Sequence, residues 1–171
     1  MILRSVANIA LYQFVWFLCV LGGNSGGMLA FVLVLLHLVI SKKRLVDIKM
    51  MALLLIAGML IDGTLLATGF FSFTNDTGWP IPFWLAVIWL ALATLVHHSL
   101  AWMQGRYLLS ALFGALGGPL AYWAGERLGA MQFNLTLFSS VVILAGIWAV
   151  LWPLVIYFSC WKHDKAGEGK A

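Results

Sequence analysis

Residues 135–161, from Leu135-Thr136-Leu137 to Phe158-Ser159-Cys160-Trp161, contain no charged side chain. A helix crossing the hydrocarbon core needs about 20 mostly apolar residues, and this run exceeds that. Similar runs recur through the chain, separated by short polar breaks. In lipid, every backbone N–H and C=O must be satisfied within the protein, leaving helices or closed barrels. These runs are too long and too uniformly apolar for the alternating strands of a barrel. The expected fold class is therefore all-α, a polytopic membrane helical bundle. Composition agrees: 63% of the 171 residues are hydrophobic and 9% charged, against about 45–50% and about 25% in soluble proteins.

Six spans are expected. The first runs from about Val6 to Gly22 and is followed by the break Gly22-Gly23-Asn24-Ser25-Gly26-Gly27. The second runs from about Gly27 to Ile40 and stops at Ser41-Lys42-Lys43-Arg44; the third covers about Val46 to Phe71. Pro82 opens the fourth, where its missing donor costs least, and that span ends near Trp102 before Gln104-Gly105-Arg106. The fifth covers about Tyr107 to Ala124 and the sixth about Leu135 to Trp161. Residues 1–161 form the transmembrane domain in this reading, and 162–171 a polar cytoplasmic tail. No internal repeat is evident from the residues alone.

Of the ten basic residues, all but Arg127 fall at the N-terminus, in the second and fourth connections, or at the C-terminus. Lys and Arg placement sets orientation, so both termini are expected in the cytoplasm. The net charge of +4 is then a topology signal and implies no nucleic-acid partner. Trp79 and Trp84 on one side, and Trp102 and Trp161 on the other, suit interfacial belts. Cys19 and Cys160 fall at opposite membrane faces, too far apart for a disulfide, which requires Cα atoms within about 7 Å.

Ionisable groups within a membrane are expensive and often functional. The candidates are His37, Asp62, His97 and His98, with Glu126 and Arg127 just outside the fifth span as a candidate headgroup or anion contact. At about 1.5 Å rise per residue, Asp62 and His97 differ in depth by about 10 Å, beyond a direct hydrogen bond. On a helix, His97 and His98 point about 100° apart and chelate one ion poorly. The chain lacks HExxH, CxxC and repeated histidine boxes, so neither metal nor cofactor is expected. One histidine is instead expected to bond a neighbouring helix, with Thr94 a local partner for His98, while the other reaches cytoplasmic water.

Gly23-Asn24-Ser25-Gly26 superficially matches the GxSG of rhomboid proteases, but Ser25 lies at the opposite boundary from His97 and His98. A nucleophile and its base must come within about 3 Å. Small residues let helices approach closely, so Gly114, Gly117, Gly118, Ala121 and Gly125 are expected to pack the fifth span into the centre of the bundle, with Pro119 available as a kink.

The run Gly114 to Ala130, GALGGPLAYWAGERLGA, together with Ala93 to Trp102, ATLVHHSLAW, resembles a family of small bacterial inner-membrane proteins, domain-of-unknown-function family 2878. The likeness spans nearly the whole chain. It implies a bacterial cytoplasmic membrane location and a slight leaning toward lipid or fatty-acyl metabolism, but brings no assigned catalytic residue. Two functions follow as expectations. The first is a non-catalytic binder, carrier or accessory protein for a lipid or small hydrophobic molecule, with membrane lipids and a lipid-metabolism enzyme as partners. The alternative is a membrane enzyme acting on a lipid or fatty-acyl substrate through Asp62 or the histidine pair; whether the chain is an enzyme stays open, as does its oligomeric state.

Overall fold

The computed structural model describes residues 2–74 and 80–167, with side chains described as far as residue 160. Five α-helices form among these residues: α1 Ile2–Ile40, α2 Arg44–Ala67, α3 Phe83–Val96, α4 Tyr107–Arg127 and α5 Leu137–Gly167. A 3-10 turn covers Ala101–Met103, and strands β1 Phe71–Phe73 and β2 Met131–Phe133 pair antiparallel. Four helical segments are long and apolar enough to cross a membrane: Ile2–Ile40, Arg44–Ala67, Tyr107–Arg127 and Leu137–Cys160.

The expectation of six separate spans is thus corrected to five helices, for two reasons. First, the Gly-rich break narrows to one residue, Gly23, at φ 53° and ψ −140°, with helix on both sides. That single left-handed residue nevertheless turns the chain back. A Cβ placed on Gly26 would lie 1.9 Å from the carbonyl oxygen of Leu18, whereas residues eight apart in an unbroken helix are about 12 Å apart. Arg4, Ala7 and Asn8 accordingly share a cleft with Leu33, Leu36 and His37. Second, α3 has 14 residues, short of the roughly 20 a perpendicular span needs. It stops at Val96 rather than running to Trp102, so His97 and His98 lie in a turn and not on a helix.

The third expected span also ends early. α2 closes at Ala67, where Thr68, Gly69 and Phe70 donate backbone hydrogen bonds to Thr64, Leu66 and Leu65, and Gly69 turns the chain into β1. α4 ends in the same way: Leu128, Gly129 and Ala130 donate to Ala124, Glu126 and Gly125, and Gly129 leads into β2. The strands pair Phe71 with Phe133, Ser72 with Gln132 and Phe73 with Met131. Side chains close the junction, with Thr74 Oγ1 donating to the Gly129 carbonyl at 2.6 Å and Asn134 Nδ2 to the Gly69 carbonyl at 3.0 Å.

α2–β1–α3 and α4–β2–α5 are therefore built alike, with counterparts such as Asp62 and Tyr122 sixty residues apart. Gly58 and Gly118 are another such pair. A Cβ on Gly58 would sit 2.4–2.5 Å from three atoms of the Trp89 ring, and one on Gly118 2.2–2.4 Å from three atoms of the Trp148 ring. Each glycine lies against an indole face. The two indoles stack on each other, 5.4 Å between centroids and 10° from parallel. A column Gly58–Trp89–Trp148–Gly118 thus crosses from α2 through α3 and α5 to α4. The sequence shows the repeat only faintly, because the matching residues, such as Gly58 with Gly118 and Gly69 with Gly129, are few and widely separated.

The centre of the bundle is α3, buried on nearly every face from Trp84 to Val96. The expectation that α4 would be central is corrected: only Ser110, Gly114, Gly118, Pro119 and Gly125 of that helix are buried, because its small residues serve one partner, α5. α1 and α2 pack on α3. Trp84 packs against Gly27 and is buried, while Trp102 is exposed. Trp79, residues 168–171 and the side chains of 161–167 lie outside the described residues, and α5 continues to Gly167 into the expected tail. Cys19 and Cys160 are free thiols.

Candidate functional site

The basic end of the bundle gathers three chain breaks. His37 lies in the last turn of α1, Asp47 in the first turn of α2, and His98 in the turn after α3. The tight connection 41–43 sets their spacing. Arg44 donates to the Leu38 and Val39 carbonyls at 2.8 and 2.6 Å, closing the end of α1, and the Lys43 amide donates to Ser41 Oγ at 3.0 Å. Ser41 Oγ in turn donates to Asp47 Oδ2 at 2.5 Å.

Asp47 is fully buried, a placement that requires paired, hydrogen-bonded surroundings. His98 Nε2 lies 3.0 Å from Oδ2 and 3.3 Å from Oδ1. His37 Nε2 stands 3.7 Å from Oδ2, too far for a hydrogen bond, and is buried with no hydrogen-bond partner. The two imidazoles meet edge to face with centroids 5.0 Å apart. They border a cleft of ≈ 730 Å³ that Arg4, Lys42 and Lys43 also line.

His97 points elsewhere. It is 4% exposed, and neither ring nitrogen has a hydrogen-bond partner. Burial holds its imidazole below the ordinary value and so in the neutral form. Its carbonyl accepts from Lys43 Nζ at 2.9 Å. Thr94 donates to Ala91 at 2.7 Å and is not a partner of His98.

Asp62 stands apart from the histidines, as its depth required. It is fully buried, accepting from Trp89 Nε1 at 2.7 Å and from the Tyr122 hydroxyl. Gly58 and Asp62 occupy one face of α2 a turn apart, so the glycine admits the Trp89 ring and the carboxylate receives its N–H. Tyr122 and Trp89 also line a small apolar cavity of ≈ 60 Å³ with Tyr12, Trp16 and Trp84. Next to it lies a crevice of ≈ 370 Å³ between the first arm of α1 and α4, lined among others by Tyr12, Phe17, Phe113, Gly117, Leu120 and Trp152. Trp148 borders both spaces. The indole nitrogens of Trp148 and Trp152 are buried without hydrogen-bond partners.

The small residues of α4 divide by role. Gly114 meets the Trp148 backbone and Gly118 its ring, Pro119 is buried, and Gly125 faces Met131 at 3.8 Å. Gly117 and Ala121 instead line the crevice, and a Cβ on Gly117 would meet nothing within 4 Å. Glu126 Oε1 accepts the Phe133 amide at 3.0 Å, anchoring β2, while the Arg127 guanidinium lies 5.7 Å from the Trp123 ring centroid.

A family model matches residues 5–154, nearly all of this architecture. The chain belongs to that family, described as protein of unknown function DUF2878. No curated protein and no solved structure matches the chain. The family match covers both sites, so α1 to most of α5 with the histidine cluster and the crevice belong to one family unit.

Asp47 is the functional candidate that the sequence did not offer. It was hidden among Lys42, Lys43, Arg44 and Lys49, where a lone acid looks like a solvated surface charge. The available signal was its isolation: one acid among four bases, one turn inside an apolar helix.

Proposed function

We propose that this protein is a membrane-embedded, non-catalytic binding protein for a lipid-like molecule, which enters the α1–α4 crevice sideways from the bilayer. One observation carries the reading: an apolar crevice of ≈ 370 Å³ between α1 and α4, lined by Tyr12, Phe17, Phe113, Trp148 and Trp152. Its volume lies in the usual range for small-molecule sites, about 300–1,000 Å³, and such sites are mostly apolar with a few placed polar groups. A ligand with an apolar acyl chain matches that lining, with Trp148 and Trp152 as its aromatic wall. Asp62 supports this site from behind by fixing Trp89 and Tyr122.

The reading includes placement in a bacterial cytoplasmic membrane with the basic end inside. Support comes from the clustering of Arg4, Lys42 and Lys43 around one cleft, with Arg127 at the opposite end of α4.

Gly117→Leu tests the crevice. The new side chain has space and improves helix propensity by up to about 1 kcal/mol, so the protein keeps its fold and fills its own site. Brominated phospholipids or fatty acids should quench tryptophan fluorescence in the unaltered protein at saturable concentrations. The expected result for Gly117→Leu is loss of the saturable component with unchanged thermal unfolding. Equal saturable quenching in both proteins defeats the proposal.

A further inference from the structure

At the other end of the bundle, we propose that His37, Asp47 and His98 form a binding site for a divalent transition-metal ion, with its remaining coordination open to the basic cleft. The inference is independent of the lipid-binding reading.

The donor set is the first argument. One ligand atom from each residue lies within 4.8 Å of the others. Two imidazole nitrogens and one carboxylate oxygen are ligands for zinc, iron and similar ions, whereas magnesium and calcium favour all-oxygen shells. Three protein ligands with an open position is the arrangement of catalytic rather than closed structural zinc sites.

The second argument is the odd state of His37. Its side chain is 11% exposed, yet Nε2 is buried and lacks a hydrogen-bond partner while aimed toward Asp47 at 3.7 Å. Zinc–ligand bonds of about 2.0–2.2 Å put neighbouring donor atoms in a tetrahedral shell a little over 3 Å apart. The 3.0 Å His98–Asp47 contact already has that spacing, and the 3.7 Å His37–Asp47 contact needs only a small ring movement. A metal would give this nitrogen, whose polar contact is only the long 3.7 Å approach to Asp47, a close partner.

The third argument is support around the ligands. Metal-ligating carboxylates are themselves held by hydrogen bonds. Asp47 has that support from Ser41, which the Lys43 amide holds in turn. The three ligands come from three chain breaks, so the ion would tie the ends of α1 and α2 to the end of α3. Arg4, Lys42 and Lys43 line the cleft that the open position faces, which favours a small anion or water there over a fourth protein ligand.

The test uses the full chain, purified in detergent with a histidine-free tag and carrying His163→Gln, because His163 would otherwise supply another imidazole. Co²⁺ is the probe, read by its visible absorption, with Zn²⁺ as competitor. The expected result is saturable binding of one Co²⁺ per chain, displaced by Zn²⁺. His37→Gln is the decisive variant: it removes a ligand while keeping a polar side chain of similar length, and its thermal unfolding is measured alongside to confirm the fold. Affinity should fall at least about 10-fold, the scale at which even outer-shell changes weaken metal sites. Asp47→Asn should weaken it as much or more, and His97→Gln should leave it unchanged. Failure to bind Co²⁺ at one per chain, or equal affinity in the His37→Gln protein, overturns the site.

Discussion

Asp47 and Asp62 lie on the same helix, and both are fully buried, yet their surroundings differ in kind. Asp47 sits among two imidazoles and a serine hydroxyl beside a cleft lined by cations. Asp62 sits among neutral donors, an indole and a phenol, locked into stacked aromatic packing. A buried carboxylate needs partners, but the partners decide its use. Two imidazoles and a carboxylate can share an ion, which is the basis of the site proposed there. Trp89 and Tyr122 cannot, so Asp62 fixes shape.

The largest effect that would sharpen this contrast comes from Asp62→Ala. It strands two buried donors, and each unsatisfied group costs roughly 1–3 kcal/mol. Thermal unfolding in detergent should fall well below that of the parent protein, and Asp62→Asn, which keeps an acceptor oxygen, should recover most of the loss. If the Asn and Ala proteins are equally destabilised, a charge rather than an acceptor is needed there, and the contrast breaks. Asp47→Ala should cost less, about 1–2 kcal/mol, because His98 is a quarter exposed and can turn to water. A loss as large as that of Asp62→Ala would make Asp47 a structural keystone instead.

The smallest effect concerns His97, which burial keeps neutral. Its folded-state value lies below its unfolded one, so the unfolded chain takes up the proton first as pH falls. His97 therefore costs stability as pH drops through the ordinary imidazole value of about 6.5. Thermal unfolding between pH 7.5 and pH 5.5 should be flatter in His97→Leu than in the parent. An unchanged slope would show that His97 does not carry that pH dependence.

The membrane class was readable from the apolar runs, and so was the divided charge, because lipid imposes length and composition directly on a helix. Gly114 and Gly118 were legible as packing positions, since close approach demands small residues. Three features were not legible. Gly23 reverses the chain in one residue, a backbone event without a loop to announce it. The end of α3 at Val96 puts His97 and His98 in a turn, where helical spacing no longer governs them, and His98 there meets Asp47. The matched halves share only scattered residues, such as Gly69 with Gly129 and Trp89 with Trp148, whose common roles in turns and ring packing emerge only in the fold.

The column of glycine, two indoles and glycine also limits how the molecule can move. Flat rings in contact resist being pulled apart or pressed closer, but they offer little resistance to sliding along their planes. Widening of the α1–α4 crevice by swinging α4–α5 outward would break that contact, and β1 paired with β2 holds one end of the two halves together. Any motion that admits a ligand is therefore expected to be a shear of small amplitude, the sliding class of domain movement, with Trp89 and Trp148 as the slip plane.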